Sequence, residues 1–184
     1  MKTELLVHIL SAEDVVKNIK LNIDLMRYII PEINDMIGFE HKHPHHHKDV
    51  WEHTLLALSY TPNDFEVRLA LLLHDIGKPH SYIEDTVRHY YKHAEKSAEI
   101  ARNRLSTLNF DKEYIDDICK VIALHDTPIE IDDIRENYNL AKLRFTVQTC
   151  DVKAHNPEFN AKRLAYLHKT QKLFDSFENA ISKE

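Results

Sequence analysis

Apolar residues recur along this chain at spacings of three and four, which is the period of an amphipathic α-helix. Val15, Ile19, Ile23, Met26 and Ile30 form the first such face, and Pro31 follows it. The spacing therefore predicts a first helix over 15–30. Comparable faces predict further helices over 49–60, 64–73, 94–108, 115–122, 140–150 and 156–181, with a short polar helix opening near 127.

Residues that favour helix ends agree with these bounds. Asp49 and Asp64 stand where an aspartate side chain caps a first turn. Thr127-Pro128-Ile129-Glu130 has the form of a capping box with proline at the first helical position. Residues 39–48 and 79–91 lack the helical period, so we expect two loops, the second with a short hairpin or irregular turn.

The run of five apolar residues over 69–73 indicates a helix buried on all sides. We find no internal repeat, low-complexity linker or change of composition that would divide the chain. The sequence therefore predicts an all-α fold, a single-domain bundle of about seven to eight helices over 1–184.

Composition narrows the possible functions. The chain has 2 glycines and 14 histidines in 184 residues. So few glycines exclude Gly-rich phosphate loops and dinucleotide-binding fingerprints, which need several at fixed places. Imidazole is a common metal ligand, so the histidine excess directs attention to metal sites. Cys119 and Cys150 lie in apolar periodic segments and are expected to be buried free thiols.

The charge balance bears on partners and location. The net charge of −6 provides no strong basic field, so we expect no nucleic acid partner, while small phosphorylated molecules remain possible. No apolar stretch approaches the roughly 20 residues of a membrane span. The N-terminal residues do not resemble a signal peptide, and a cytoplasmic protein without membrane contact is expected. The sequence does not indicate an oligomeric state.

The segment Leu-Leu-Leu-His-Asp-Ile-Gly-Lys over 71–78 holds the sharpest chemical signal. It brings His74 and Asp75 to the end of an apolar helix, where a buried unpaired charge costs several kcal/mol. A metal cation would compensate this buried charge. Gly77 can adopt a helix-ending conformation, which would place Lys78 near an anion drawn to the metal. For the His-Asp pair alone, a helix end with a satisfied histidine is the simpler interpretation.

Other predicted helices add similar side chains near apolar faces. These residues are His53, His93, His125, Asp126 and Asp151. Metal sites in helical bundles are built in this way, each helix contributing one imidazole or carboxylate. Several such residues favour a metal site where a lone histidine would not.

These residues, within VWEHTLLAL, ALLLHDIGKP and HYYKHAEKSAEIARNRL, resemble the HD-domain metal-dependent phosphohydrolases, and most closely the HD portion of bacterial CCA-adding tRNA nucleotidyltransferases. The likeness covers about 45–155. It implies an HD-domain-like fold, with a first ion bound by the ligands His53, His74, Asp75 and Asp151. It further implies a second ion that shares Asp75 with His93 and His125, and a Lys78 that approaches substrate phosphate.

One departure from those relatives is evident. The sequence contains no Gly-Ser followed by paired acidic residues in a strand context, the mark of a nucleotidyltransferase head. We therefore expect no CCA polymerisation, and tRNA is in doubt as a partner.

Imidazole and carboxylate ligands without thiolate suit Mn, Fe, Co, Ni, Zn or Mg. One or two such ions would generate hydroxide near neutral pH and polarise a phosphoryl oxygen. The expected activity is hydrolysis of a phosphoester or phosphoanhydride in a nucleotide or related small molecule. Asp75 and Lys78 are candidate catalytic residues, and Asp126 and His89 are candidates for proton transfer or for orienting a ligand.

Several alternatives stay open. A cyclic phosphodiesterase, a 5'-nucleotidase and a dinucleoside polyphosphate hydrolase fit the motif equally. A different class is a metal-holding regulatory or RNA-associated module with little turnover, and a third is a purely structural helical module. Complete ligands and Lys78 favour the enzyme.

The remaining histidines are harder to interpret. Those over 41–47 form either a flap at the metal site or, as we prefer here, a solvated loop. His155, one turn after Asp151, can face the same cavity. His8, His80 and His168 are expected at the surface.

Overall fold

The computed structural model describes residues 1–84 and 86–182. Within them the protein is all-α, as predicted, with two short 3-10 turns at Lys78–His80 and Pro157–Phe159. The helices are α1 Lys2–Leu10, α2 Val15–Leu21, α3 Ile23–Ile29, α4 Ile33–Met36, α5 Val50–Leu58, α6 Phe65–Leu73, α7 His93–Thr107, α8 Lys112–Ala123, α9 Ile131–Glu136, α10 Tyr138–Ala154 and α11 Ala161–Ile181. β pairing in these ranges is confined to two isolated bridges, Glu40 with Asp49 and Ile83 with His89.

Helix α6 lies at the centre of the molecule. It packs against α5, α8 and α10, and residues 69–73 are all 0% exposed, as the apolar run predicted. Arg68 is also buried on this helix, where its Nη1 donates to the carbonyl oxygens of Leu10 at 2.6 Å and Ala12 at 2.8 Å. These bonds satisfy carbonyls at the end of α1, so one buried cation fixes α1 against α6.

A second apolar cluster joins α9, α10 and α11. Its buried members are Ile129, Ile134, Ala141, Phe145, Val152, Leu167 and Phe174. Because α10 packs on α5 and α6 through one face and on α9 and α11 through another, it connects this cluster to the main core. Residues of α10 that face between the two clusters are therefore held from both sides.

Eleven α-helices in the described ranges exceed the expected seven or eight. The predicted helix over 15–30 is divided into α2 and α3 at Asn22, whose Nδ2 donates to the Asn18 carbonyl at 2.9 Å. A side chain that bonds to the backbone in this way competes with the helical ladder. The apolar period continues across the break because Met26 N still donates to the Asn22 carbonyl. The short α1 and α4 account for the other additions.

Two predicted helix starts are wrong. The capping box belongs to Glu130 and Asp133, and α9 begins at Ile131, directly after Glu130. The Thr127 hydroxyl instead donates to the Leu124 carbonyl and closes the turn that follows α8. Asn156 caps the second 3-10 turn, and α11 begins only at Ala161. The predicted caps Asp49 and Asp64 are confirmed, because each accepts from the backbone N–H three residues later.

Gly77 has a different role from the one predicted. Its φ of −84° is ordinary for any residue, so no special helix-ending conformation requires glycine. The requirement is space: a Cβ at this position would lie 2.5 Å from Ser97 N and 2.8 Å from the His93 carbonyl oxygen. The Gly77 N–H also donates to Ser97 Oγ at 2.9 Å. Gly77 therefore sets how closely the start of α7 approaches the turn after α6.

We expect Gly77→Ala to lower the free energy of unfolding by about 1–3 kcal/mol, because backbone atoms of α7 must move to admit the methyl group. Urea denaturation measures the change. Gly38→Ala is the matched control, since Gly38 has a φ of +74° but open space around it. It should cost about 1 kcal/mol through backbone strain alone and leave α7 in place. A Gly77→Ala protein as stable as the unaltered chain would contradict this role.

Candidate metal centre

The site begins at the end of the buried helix α6. His74 and Asp75 follow its last residue and are 0% and 1% exposed. The chain turns tightly there, with Lys78 N donating to the Asp75 carbonyl at 3.0 Å. An apolar helix that ends inside the molecule thus leaves a carboxylate and an imidazole in the interior.

One oxygen of Asp75 faces a first group of ligands. His74 Nε2 lies 3.2 Å and His53 Nε2, from α5, 3.7 Å from Asp75 Oδ2. Asp151 from α10 completes the group, with its Oδ1 2.8 Å from His53 Nε2 and 3.4 Å from His74 Nε2. The structure therefore brings together the four residues that the sequence grouped for a first ion.

The other oxygen of Asp75 faces a second group. His93 Nε2, from the first turn of α7, lies 3.4 Å from Asp75 Oδ1, and His125 Nε2, just after α8, lies 3.8 Å from it. Asp126 Oδ2 is 3.1 Å from His93 Nε2. Two sets of three residues have the closeness that one ion would require, His53 with His74 and Asp75, and Asp75 with His93 and His125, so Asp75 belongs to both.

Backbone carbonyls orient three of the imidazoles. The Nδ1 atoms of His74, His125 and His93 lie 2.6 Å, 2.7 Å and 3.0 Å from the carbonyl oxygens of the residues three positions earlier. In each ring this bond assigns the proton to Nδ1 and leaves Nε2 as the metal-binding atom. The local turn at the end or start of each helix therefore orients Nε2 of each ring toward Asp75.

Several polar atoms at the centre have charged neighbours but no hydrogen bond. Among the described residues, His74 Nε2, His93 Nε2 and both carboxylate oxygens of Asp75 are buried without a hydrogen bond of proper geometry. Buried polar groups are rarely left so, because the cost is about 1–3 kcal/mol each or more when charged. A set of imidazole and carboxylate donors with free lone pairs fits divalent cations.

Charge coupling is strong here. Burial by itself raises the pKa of Asp75, but the cations His74 and Lys78 hold that pKa well below its usual value. Burial likewise lowers the pKa of His74, yet Asp75 and Asp151 raise it to about 10. A metal ligand must be deprotonated, so an ion would take the place of the His74 proton as counter-charge.

Lys78 is buried and lies close to the carboxylate of Asp75, which precedes it by three residues. Its Nζ is 2.7 Å from Asp75 Oδ2 and 3.2 Å from His41 Nε2. His41 Nδ1 is bonded to the Lys48 carbonyl at 2.9 Å, so its Nε2 is free to accept from the ammonium group. Burial, reinforced by Lys78, lowers the pKa of His41 to about 2, which keeps the ring neutral.

The segment 41–47, the histidine loop, is only in part the solvated loop that we preferred from sequence, since three of its residues are exposed but His41 is buried. His41 is 1% exposed, and the ring of His46 stacks on it at a centroid distance of 3.7 Å. Arg88 donates to the Glu40 carbonyl at 2.6 Å, and Asn156 N donates to the His45 carbonyl at 2.9 Å. These bonds fasten the loop over the ligand groups.

The other histidines have the exposure that the sequence predicted. His155 is buried beside Asp151, with ring centroids 5.3 Å from His53 and 4.6 Å from His46. His8, His80 and His168 are exposed, and Cys119 and Cys150 are buried free thiols.

A cavity of about 150 Å³, here called the polar cavity, opens onto both ligand groups. Asp75, Lys78, His93 and Asp126 line it. His89 lines it too, but this residue is exposed and stacks on Tyr91 with ring centroids 5.7 Å apart, so it lies at the rim.

Two arginines that sequence reasoning did not single out also lie at this cavity. Arg88 and Arg163 both line it, the first from the connector before α7 and the second from α11. Arg163 Nη1 lies 3.3 Å from Asp126 Oδ1 and 3.9 Å from Asp151 Oδ2. An arginine on an amphipathic helix has no local signature that separates a site residue from a surface one.

The fold and ligand groups agree with comparison to known proteins. The family model described as the HD domain matches residues 45–179. This chain therefore belongs to the HD domain family. The HD domain defines a superfamily of metal-dependent phosphohydrolases. The match extends past the expected motif core and takes in most of α11.

Two relatives illustrate the likeness. The chain is 34% identical over 111 residues to the CC-adding tRNA nucleotidyltransferase of Thermus thermophilus, covering 56% of this chain and 25% of that protein. It is 30% identical over 118 residues to the Multifunctional CCA protein of Legionella pneumophila, covering 62% and 28%. The chain thus matches about a quarter of the length of these curated relatives. No helix in the described ranges is long and apolar enough to cross a membrane.

We expect the purified protein to hold about two divalent ions per chain, His125→Ala about one, and Asp75→Asn none, since Asp75 faces both ligand groups. Elemental analysis by mass spectrometry measures the ratio. His168→Ala, which removes an exposed imidazole, is the matched control and should retain both ions. Equal metal content in Asp75→Asn and the unaltered protein would contradict the assignment.

Proposed function

We propose that this protein is a metal-dependent phosphohydrolase that cleaves a phosphoester or phosphoanhydride bond in a nucleotide or related small molecule. The observation that carries the proposal is the placement of Asp75, whose two oxygens each face a separate group of imidazoles at the polar cavity. Two-ion sites of this kind clamp the attacking and leaving oxygens of a phosphoryl group.

The residues would act in distinct roles. His53, His74, Asp75 and Asp151 would hold a first divalent ion, and His93 and His125 would share Asp75 to hold a second. Mn, Fe, Co, Ni, Zn and Mg all suit these ligands. Such ions supply Lewis-acid polarisation of phosphoryl oxygens and acidify water.

The cationic side chains of the polar cavity would bind the phosphate. Lys78 provides a point charge within reach of Asp75, and Arg163 provides a planar guanidinium group at the wall. The guanidinium group of Arg88 is bonded to Glu84 and to the Glu40 carbonyl, so it supports the wall rather than the phosphate. His41, by accepting from the Lys78 ammonium group, would restrict where that charge points.

Asp126 is our candidate for proton transfer. Its side chain is 31% exposed, lies 3.1 Å from His93 Nε2 and lines the cavity, so it reaches both the ligand groups and water. His89, at the rim, would act on an outlying part of the substrate.

The test is a screen of nucleotides and phosphodiesters with Mn, Co or Mg added, in which Asp75→Asn serves as the inactive reference. We expect hydrolysis by the unaltered protein and only the uncatalysed background with Asp75→Asn. Absence of hydrolysis across the screen by metal-loaded protein would contradict the proposal.

We expect Lys78→Met to lower kcat/KM about 10- to 100-fold, because a hydrogen bond to a charged group contributes about 1.5–3 kcal/mol. Steady-state kinetics on the best substrate of the screen measures the loss. Lys112→Met is the matched control, since the Lys112 side chain is 88% exposed and pairs with Asp116 at the surface. Equal kcat/KM in both variants would argue against a phosphate contact by Lys78.

A metal-holding RNA-associated module is the second candidate, because one relative is by name a tRNA nucleotidyltransferase and the other is by name a CCA protein. The net charge of −6 argues against it. We expect no complex with tRNA at about 10 µM protein and physiological salt in a gel-shift assay. A complex that weakens as salt increases would favour this alternative.

A further inference from the structure

A second cavity, of about 270 Å³, adjoins the metal centre and has no role in the function proposed above. It lies between α10, α11 and the turn after α8, and we call it the side cavity. Its lining includes Pro128, Val152, Tyr166 and Leu167. These walls are mainly apolar, in contrast to the charged walls of the polar cavity.

The two cavities meet at the metal centre. His125, Asp126, Asp151 and Arg163 line both of them. A molecule with its phosphate in the polar cavity could therefore extend past Arg163 into the side cavity. The two volumes, about 270 and 150 Å³, together reach the range of roughly 300–1,000 Å³ typical of small-molecule sites.

Two polar side chains of the side cavity, Gln148 and Tyr166, are bonded to the protein itself, while Lys162 and Arg163 line it as long cationic side chains. Gln148 Nε2 donates to the Thr127 carbonyl at 2.7 Å, and Gln148 Oε1 lies 3.2 Å from the Tyr166 hydroxyl. That hydroxyl also accepts from Ile129 N at 2.7 Å. These bonds fix Tyr166 in place. They also engage polar atoms of Gln148 and Tyr166 that could otherwise form hydrogen bonds to the edge of a bound base.

We propose that the side cavity binds the organic group of the substrate and accepts a planar aromatic group, such as a nucleobase, with little discrimination between bases. This inference rests on the proposed function and specifies its substrate class. Apolar walls favour an aromatic group over a sugar alone, because burial of apolar surface is favourable. Lys162 and Arg163 offer only donors on long side chains, and every nucleobase carries acceptors, so these residues discriminate only weakly between bases.

Binding of a nucleoside and of inorganic phosphate can be measured separately and without hydrolysis, so these two probes test this inference independently of catalysis. Adenosine carries no phosphate to hydrolyse, and inorganic phosphate carries no base. In amide NMR spectra of the metal-loaded protein, we expect adenosine to shift signals of residues around Val152 and Tyr166. Inorganic phosphate should shift signals around Lys78 instead.

Variants of Tyr166 sharpen the test. Tyr166→Ala removes a wall of the side cavity and should weaken adenosine binding about tenfold. Tyr166→Phe retains the ring and should bind adenosine as the unaltered protein does. Leu164→Ala is the matched control on α11, since Leu164 is 46% exposed and outside the cavity lining. Cytidine should bind within about tenfold of adenosine, and ribose should not bind measurably.

The outcomes are distinct. Adenosine shifts confined to other surfaces, no adenosine shifts, or equal binding by Tyr166→Ala and Leu164→Ala would overturn the side-cavity assignment, even if phosphoesters are hydrolysed. A difference greater than about 10⁴-fold between adenosine and cytidine would overturn the claim of weak discrimination. Binding of adenosine in the side cavity by a metal-loaded protein that hydrolyses no phosphoester would support the cavity and overturn the proposed function.

Discussion

The structure depends on one buried carboxylate. Asp75 lies at the end of a helix whose last five residues are wholly buried, and it is itself 1% exposed. An uncompensated charge at such a place costs several kcal/mol, so the surrounding elements must supply cations or donors. Lys78, three residues further on, is part of this compensation, and His53 and His93 add imidazoles from α5 and α7, which are distant in sequence.

The same constraint explains the close packing of α7. His93 must reach Asp75 Oδ1 from the first turn of that helix. Gly77 permits this approach because its missing Cβ leaves room for the α7 backbone. Gly77 is one of only two glycines in the chain. It lies where the turn after α6 packs against the start of α7, and this packing sets the position of His93 relative to Asp75.

Around the centre, the protein separates two chemistries. The polar cavity presents the cationic side chains Lys78 and Arg163 beside its carboxylates, an arrangement suited to phosphate. The side cavity beyond Arg163 presents mainly apolar walls, in which Gln148 and Tyr166 are bonded to the protein itself. Substrate choice would then depend on α11 and the turn after α8, whereas the chemical step would depend on the helix ends that meet at Asp75.

The sequence by itself determined the all-α class, the caps at Asp49 and Asp64 and the position of the His-Asp pair at the end of a buried helix, while the grouping of the other candidate ligands came from the family resemblance. The first three features each depend on a local signal: an apolar period, a side chain bonding three residues ahead, or a helix ending in His-Asp. The tertiary structure alone decided that the histidine loop is fastened, that Arg163 reaches the cavity and that Asp75 divides its oxygens between two groups. Those features arise from contacts between distant segments, whose geometry no local pattern of residues specifies.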